Sequence, residues 1–304
     1  MESGSERITS FGRIKRWLGK NGTGYMLLAP TLVFLLLFII GPIIYSFVLS
    51  LYEWRLTEIG KPKNFVFLAN YVTLLKDHVF WQAMKNTMVF TVGSVGIELL
   101  VGFFVALLLW QLPRGKGIAN SIILLPMITA PVVVGLLWRY MLDPQFGVVN
   151  YALRGILPSE MAWLGDIRLA LPSVILVDVW QMTPFVVLVL HAGLCSISEE
   201  WLEAARVDGA TYWQLIWHVV LPFLKGLIIL VLMLRAMDTY RVFDTIYVLT
   251  KGGPGLATET IGIYTYKAGF SFFKMGYAMT LSIVSLAIVL VFSLFCIRMM
   301  REED

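Results

Sequence analysis

Apolar residues run along this chain in long blocks instead of recurring once per helical turn. Residues 25–51 carry no charged side chain, and that block exceeds the roughly 20 residues a helix needs to cross a bilayer. Further blocks occupy 86–110, 118–138, 169–194, 219–239 and 277–298. Because a spanning segment must satisfy its backbone polar groups internally, the pattern predicts an all-α polytopic membrane protein with six transmembrane helices. The first block is longer than the roughly 7 to 15 residues of a signal-peptide core and is followed by no small-residue cleavage site, so it reads as an uncleaved span. Arg7, Arg13, Lys15, Arg16 and Lys20 precede it, which sets the N-terminus in the cytoplasm by the positive-inside bias. Six crossings return the C-terminus to the same side. The chain divides into a cytoplasmic tail (1–24), a membrane domain (25–298) and a second cytoplasmic tail (299–304).

Composition agrees. The residues are 58% hydrophobic and 14% charged, against about 25% charged in soluble domains. The net charge of +4 is spread along the chain, so a nucleic-acid partner has no support. Cys195 and Cys296 fall at cytoplasmic helix ends on this topology, where a disulfide is not expected. His78, His191 and His218 lack ligand spacing, and no metal site is expected.

One polar stretch breaks the apolar pattern, residues 199–222, EEWLEAARVDGATYWQLIWHVVLP. Ser196 with Glu199 three residues on has capping-box spacing, and Glu199, Glu200 and Glu203 suit the start of a helix. That helix is expected to end near Val207, with Asp208-Gly209 as its stop, since glycine accepts the left-handed conformation of a C-cap. A second helix restarts near Thr211 and is interrupted at Leu221-Pro222. The product is a helix–turn–helix loop (196–218) outside the bilayer.

Glu203-Ala204-Ala205, Asp208-Gly209-Ala210 and Leu221-Pro222 resemble the EAA loop of binding-protein-dependent ABC importer permeases, in particular the sugar permeases that include maltose-F-like and trehalose-type subunits. Asn86-Thr87, Ala106-Leu107-Leu108-Leu109, Leu125-Pro126-Met127, Phe146-Gly147 with Asn150, and Leu249-Thr250-Lys251-Gly252-Gly253-Pro254 extend the resemblance over about 30–297. It implies a permease domain whose loop docks in a cleft of an ATP-hydrolysing subunit, with Glu203, Ala204, Ala205, Asp208, Gly209 and Ala210 carrying the coupling. It also implies that Gly252, Gly253 and Pro254 lie beneath a solute-binding protein.

A charge inside the bilayer costs roughly 2.5–3.5 kcal/mol even on the mildest scales, so intramembrane polar residues are expected to face protein or a water-filled path. Asp178, Gln181, Met182 and Phe185 share one helical face. A carboxylate and an amide beside an aromatic ring suit a sugar, and the resemblance assigns that face to the sugar site. Pro184 is expected to loosen this helix. Arg235, Asp238, Arg241 and Asp244 repeat every third residue with alternating sign. This reads either as an i,i+3 ion-pair ladder at a helix end or, by the resemblance, as a path lining with Arg235, Asp238 and Thr239 opposite Asp178. The maltose-type pattern is neutral and amide-rich there, and an Arg235–Asp178 pair forming part of a gate is a further possibility. Glu98 stands as a lone acid among Gly93, Gly96 and Gly102; it is expected to pair across helices, the alternative being a coupling-ion site.

No G-x-x-x-x-G-K-[ST] phosphate loop occurs, so the chain is not expected to be an enzyme or to hold a cofactor. The expectation is a transport subunit in a bacterial or archaeal cytoplasmic membrane, contacting lipid, a second permease subunit, two ATP-binding subunits that use ATP and magnesium, and an extracytoplasmic solute-binding protein. The substrate expected is a disaccharide or oligosaccharide. Alternatives are a glycerol-3-phosphate-type ABC permease, left open by Arg235, and an ion-gradient-driven secondary transporter, against which no internal repeat is evident.

Overall fold

The computed structural model describes residues 24, 27–57, 63–156 and 161–301. The basic N-terminal flank, residues 58–62, residues 157–160 and the tail residues 302–304 lie outside them. Five helices are long and apolar enough to cross a membrane: α1 (Leu27–Ser50), α3 (His78–Gln111), α7 (Ala170–Cys195), α9 (Tyr212–Tyr240) and α12 (Met275–Arg301). The sixth expected span departs from a single rod. Residues 118–138 divide into α4 (Lys116–Ile128) and α5 (Pro131–Met141), bent by 92°.

The break follows from Pro131, which disfavours helical backbone at Ala130, and Ala130 is extended (ψ 137°). A break inside a membrane must satisfy its freed groups. Here the Thr129 hydroxyl donates to the Leu125 carbonyl (3.1 Å), and the Thr129 carbonyl accepts from Gln181 Nε2 on α7 (3.1 Å).

Other expectations shift at their ends. α3 begins eight residues ahead of the expected 86, since Asp77 caps it by accepting from the Val79 N–H at 2.9 Å. Pro184 leaves α7 continuous. Leu221-Pro222 does not interrupt α9 either, because a π-helical turn over Ile216–Val220 immediately precedes it and re-phases the hydrogen bonds around the missing proline N–H.

The remaining elements are short. A two-residue antiparallel pair, β1 (Tyr52–Glu53) with β2 (Asn64–Phe65), and α2 (Ala69–Lys76) follow α1; α6 (Val148–Leu153) precedes α7; α8 (Glu199–Val207) lies between α7 and α9; α10 (Asp244–Leu249) and α11 (Ile261–Tyr266) join α9 to α12. The centre is the α3–α7 pair. Gly102 lets α3 approach so closely that a Cβ there would lie 2.6 Å from Val186 Cγ1, the small-residue mode of membrane helix packing. Leu107, Leu190, Leu202, Leu215 and Leu224 form one apolar core at the α8 end, while Phe90, Val134, Trp138, Val174 and Ile263 form another toward the opposite end. α1 is the exception, exposed over nearly its whole length and buried only at Leu49 and Ser50.

Candidate functional site

At the α8 end, Leu202 is buried and Ala205 packs on the same core, fixing one face of the short helix. Glu203, Ala204, Val207, Asp208 and Gly209 remain exposed on the other side. The stop expected at Gly209 is present (φ +81°): Gly209 N–H donates to the Arg206 carbonyl and Ala210 N–H to the Ala205 carbonyl, both at 3.0 Å. This crossed pair is a Schellman ending, which positions the left-handed residue where glycine is least strained. The expected capping box at Ser196 and Glu199 is not formed. Ser198 is the N-cap of α8, and the Ser196 hydroxyl instead donates to Gly193 at the end of α7 (2.7 Å). The capping box belongs to the second helix, where Thr211 and Gln214 bond reciprocally. Gln111, closing α3, donates to the Tyr212 hydroxyl, so three spans meet beneath this loop. A depression of about 730 Å³ between α8 and α9 is lined by Glu200, Trp201, Ala204, His218 and Phe223.

From Thr211 the helix continues without a break to Tyr240, carrying Arg235 about 36 Å away at 1.5 Å per residue. Arg235 is buried, and its guanidinium joins three helices. Its Nε donates to Glu98 Oε2 (2.7 Å) and Nη2 to Glu98 Oε1 (2.8 Å) on α3; Nη2 also donates to Asp178 Oδ2 (3.0 Å) on α7, and Nη1 to Asp238 Oδ2 (2.6 Å) on α9 itself. Glu98 and Asp178 are buried, whereas the Asp238 side chain is 56% exposed. The Arg235–Asp178 pair read from the sequence is therefore present, and the acid that looked solitary is its strongest partner. The i,i+3 ladder exists only in its first rung. α9 ends at Tyr240, Arg241 Nε turns back to the Met237 carbonyl, and no ion pair joins Arg241 to Asp244 among the described residues.

The other expected path residues separate by role. The Gln181 amide is committed to the α4–α5 break, and the Thr239 hydroxyl to the Arg235 carbonyl (2.8 Å) within its own helix. Met182 and Phe185 are partly buried, Phe185 against the core at the α8 end.

At the opposite end the Gly252-Gly253-Pro254 loop is anchored by residues that the sequence flagged without a role. Asn86 donates to the Leu256 and Glu259 carbonyls (2.7 and 2.9 Å), and the Thr87 hydroxyl accepts from Ile261 N–H (3.0 Å). Beneath the loop, Lys267 pairs with buried Glu259 at 2.5 Å. Gly252 has φ +89°, and a Cβ there would lie 2.2 Å from Glu259 Oε2. Gly252→Ala is thus expected to destabilise the protein by more than about 1 kcal/mol, the cost of left-handed backbone alone for an L-residue; thermal unfolding of the purified protein checks it. Asn150 is likewise a structural hub, bonding Pro144 and Met161 carbonyls and Trp163 Nε1.

Asp77, outside the spans, ties α3 to α11 and α12 through the Tyr264 and Tyr277 hydroxyls. Burial pushes its carboxyl up, but those hydroxyls and the Val79 N–H outweigh it and hold the carboxyl below its usual value. A depressed folded value contributes stability that is present above the unfolded carboxylate range and lost as pH falls through the folded value. Asp77→Asn is therefore expected to flatten the acid limb of a stability-versus-pH curve, read by unfolding midpoints between about pH 5 and pH 2.

Comparison with known proteins fits this arrangement. The family described as "Binding-protein-dependent transport system inner membrane component" matches residues 98–301. The chain is 36% identical to a probable ABC transporter permease, y4oQ, of Sinorhizobium fredii over 87% of its own length and 85% of the relative's. It is 35% identical to the trehalose/maltose transport system permease MalF of Thermococcus litoralis, covering 91% of this chain and 93% of that one. A bacterial ABC transporter involved in import of the acidic polysaccharide alginate superposes with a TM-score of 0.80 at 26% identity, over 95% of this chain and 99% of the other. Family, relatives and architecture agree: the chain is a binding-protein-dependent ABC transporter permease, a multi-pass, non-catalytic transmembrane subunit of an importer.

Proposed function

We propose that this permease moves a neutral disaccharide or short oligosaccharide inward, sharing a central path with a second permease subunit. One of two ATP-binding subunits seats on α8 from the cytoplasm and a solute-binding protein delivers sugar outside. Both termini are then cytoplasmic, with α4 and α5 as two legs of one crossing. The observation that carries this reading is the unbroken α9, which joins the acidic loop at one end to the charged cluster at the other. Glu203, Ala204 and the Asp208-Gly209 turn face outward from α8, free to enter a cleft. Leu202 and Ala205 grip the core, so movement of the docked loop is passed on as a rigid-body shift of α9. The exposed length of α1 offers the second permease a surface.

Asp178, Arg235 and Asp238 border the path in this reading, and their charges favour a neutral solute over a phosphorylated one. Arg235 already donates to three carboxylates, so its fork is not open to a phosphate. Family membership sets aside the ion-gradient transporter. The Gly252-Gly253-Pro254 loop, braced from below, supports the landing of the binding protein.

The test is uptake into vesicles holding the permease pair and ATP-binding subunits, with binding protein and radiolabelled sugar outside. ATP inside should drive accumulation that an uncoupler leaves intact. Accumulation by this chain alone, without ATP-binding subunits, would refute the reading.

A further inference from the structure

The cross-helix pairing expected of Glu98 is formed with Arg235, and Glu98 is 0% exposed. Arginine has five N–H donors in a rigid planar fork. Four donated bonds leave Arg235: two to Glu98, one to Asp178 and one to Asp238. The two-pronged contact with Glu98 fixes the plane of the guanidinium, and the plane decides where Nη1 points. Nη1 holds Asp238 Oδ2, while Asp238 Oδ1 has no bonding partner among the described residues and the side chain is 56% exposed. An exposed carboxylate on a spanning helix, with one oxygen clamped and one open, is an acceptor already oriented for a hydroxyl.

We propose that Glu98 is a positioning residue for solute passage: it locks the Arg235 guanidinium and, through it, aims the Asp238 carboxylate at the solute. The proposal rests on the reading that Asp238 borders the path. A tie serving only to hold α3 against α9 would need one acid, and well-packed apolar side chains could replace it. The third carboxylate, half in the open, joins no further helix, and as an i,i+3 pair with Arg235 it adds little to the tie. The wall so built is rich in hydrogen-bond acceptors, matching a polyhydroxylated solute.

A double-mutant cycle in the complete importer, reconstituted in proteoliposomes with its binding protein, tests this. Uptake of radiolabelled trehalose and maltose per assembled complex is measured for Glu98→Gln, Asp238→Ala and the pair together. Glu98→Gln is expected to lower uptake about tenfold in the wild-type background and to have almost no further effect in the Asp238→Ala background, since the group it aims is gone. An equal loss in both backgrounds would overturn the proposal. Should Glu98→Gln fail to assemble, Glu98→Asp decides: it keeps the charge but is one methylene too short to hold both guanidinium prongs in the same plane, so uptake should fall in the wild-type background with almost no further loss in the Asp238→Ala background, and wild-type uptake by it would overturn the proposal. If the wild-type complex carries neither sugar, the reading of the solute fails, and this proposal fails with it.

Discussion

Arg235→Leu is expected to destabilise the folded protein by about 3–5 kcal/mol, the range measured when one partner of a buried ion pair is removed. The loss comes less from the missing attraction than from what stays behind. Glu98 and Asp178 are buried on α3 and α7, and without the guanidinium between them two carboxylates face each other with no cation. Arg235→Lys should recover only part of the stability, because an ammonium cannot match both Glu98 oxygens and still reach Asp178 and Asp238 in one plane. Thermal unfolding in detergent, with yield of the inserted protein, measures both variants. A variant as stable as wild type would mean that the cluster does not hold the three helices together.

The second large effect lies at the other end of α9. Gly209→Pro should reduce sugar moved per ATP hydrolysed by roughly 5- to 150-fold, the span of ordinary coupling free energies, while leaving the protein in the membrane. Proline fixes φ near −65°, whereas Gly209 sits at +81° and its N–H closes the turn onto Arg206. The loop would lose the ending that sets α8 at an angle to α9. Glu203→Lys tests the same interface without touching the backbone, since the Glu203 side chain is exposed. Uptake and ATP hydrolysis measured on the same vesicles separate uncoupling from loss of assembly, and unchanged coupling in both variants would remove the loop from the proposed role.

The two ends of α9 were unequally legible in the chain. The loop could be read because its signals are local: acids at a helix start and a glycine where the chain must turn left-handed. Even there the cap was misplaced, since Ser196 and Ser198 are equally suitable by type and only the closing turn of α7 decides which is free. The cluster was half read. Asp178 and Arg235 were recognised as costly inside a bilayer, but the spacing of Arg235, Asp238, Arg241 and Asp244 pointed along one helix, and the strongest bond runs to another.

Sequence alone determined five long apolar spans, the all-α class, the acidic hairpin and its glycine stop, because each depends on hydrophobic length or on the backbone preference of a single residue. Tertiary structure decided the rest: the 92° bend between α4 and α5, the passage of α9 through Leu221-Pro222, the commitment of Gln181 to the Thr129 carbonyl, and the pairing of Glu98 with Arg235 across 137 residues of chain. The physical reason is the same in each. Inside a membrane a polar group must find a partner, and which partner is within reach is set by how helices pack, a property that no local pattern of residues contains.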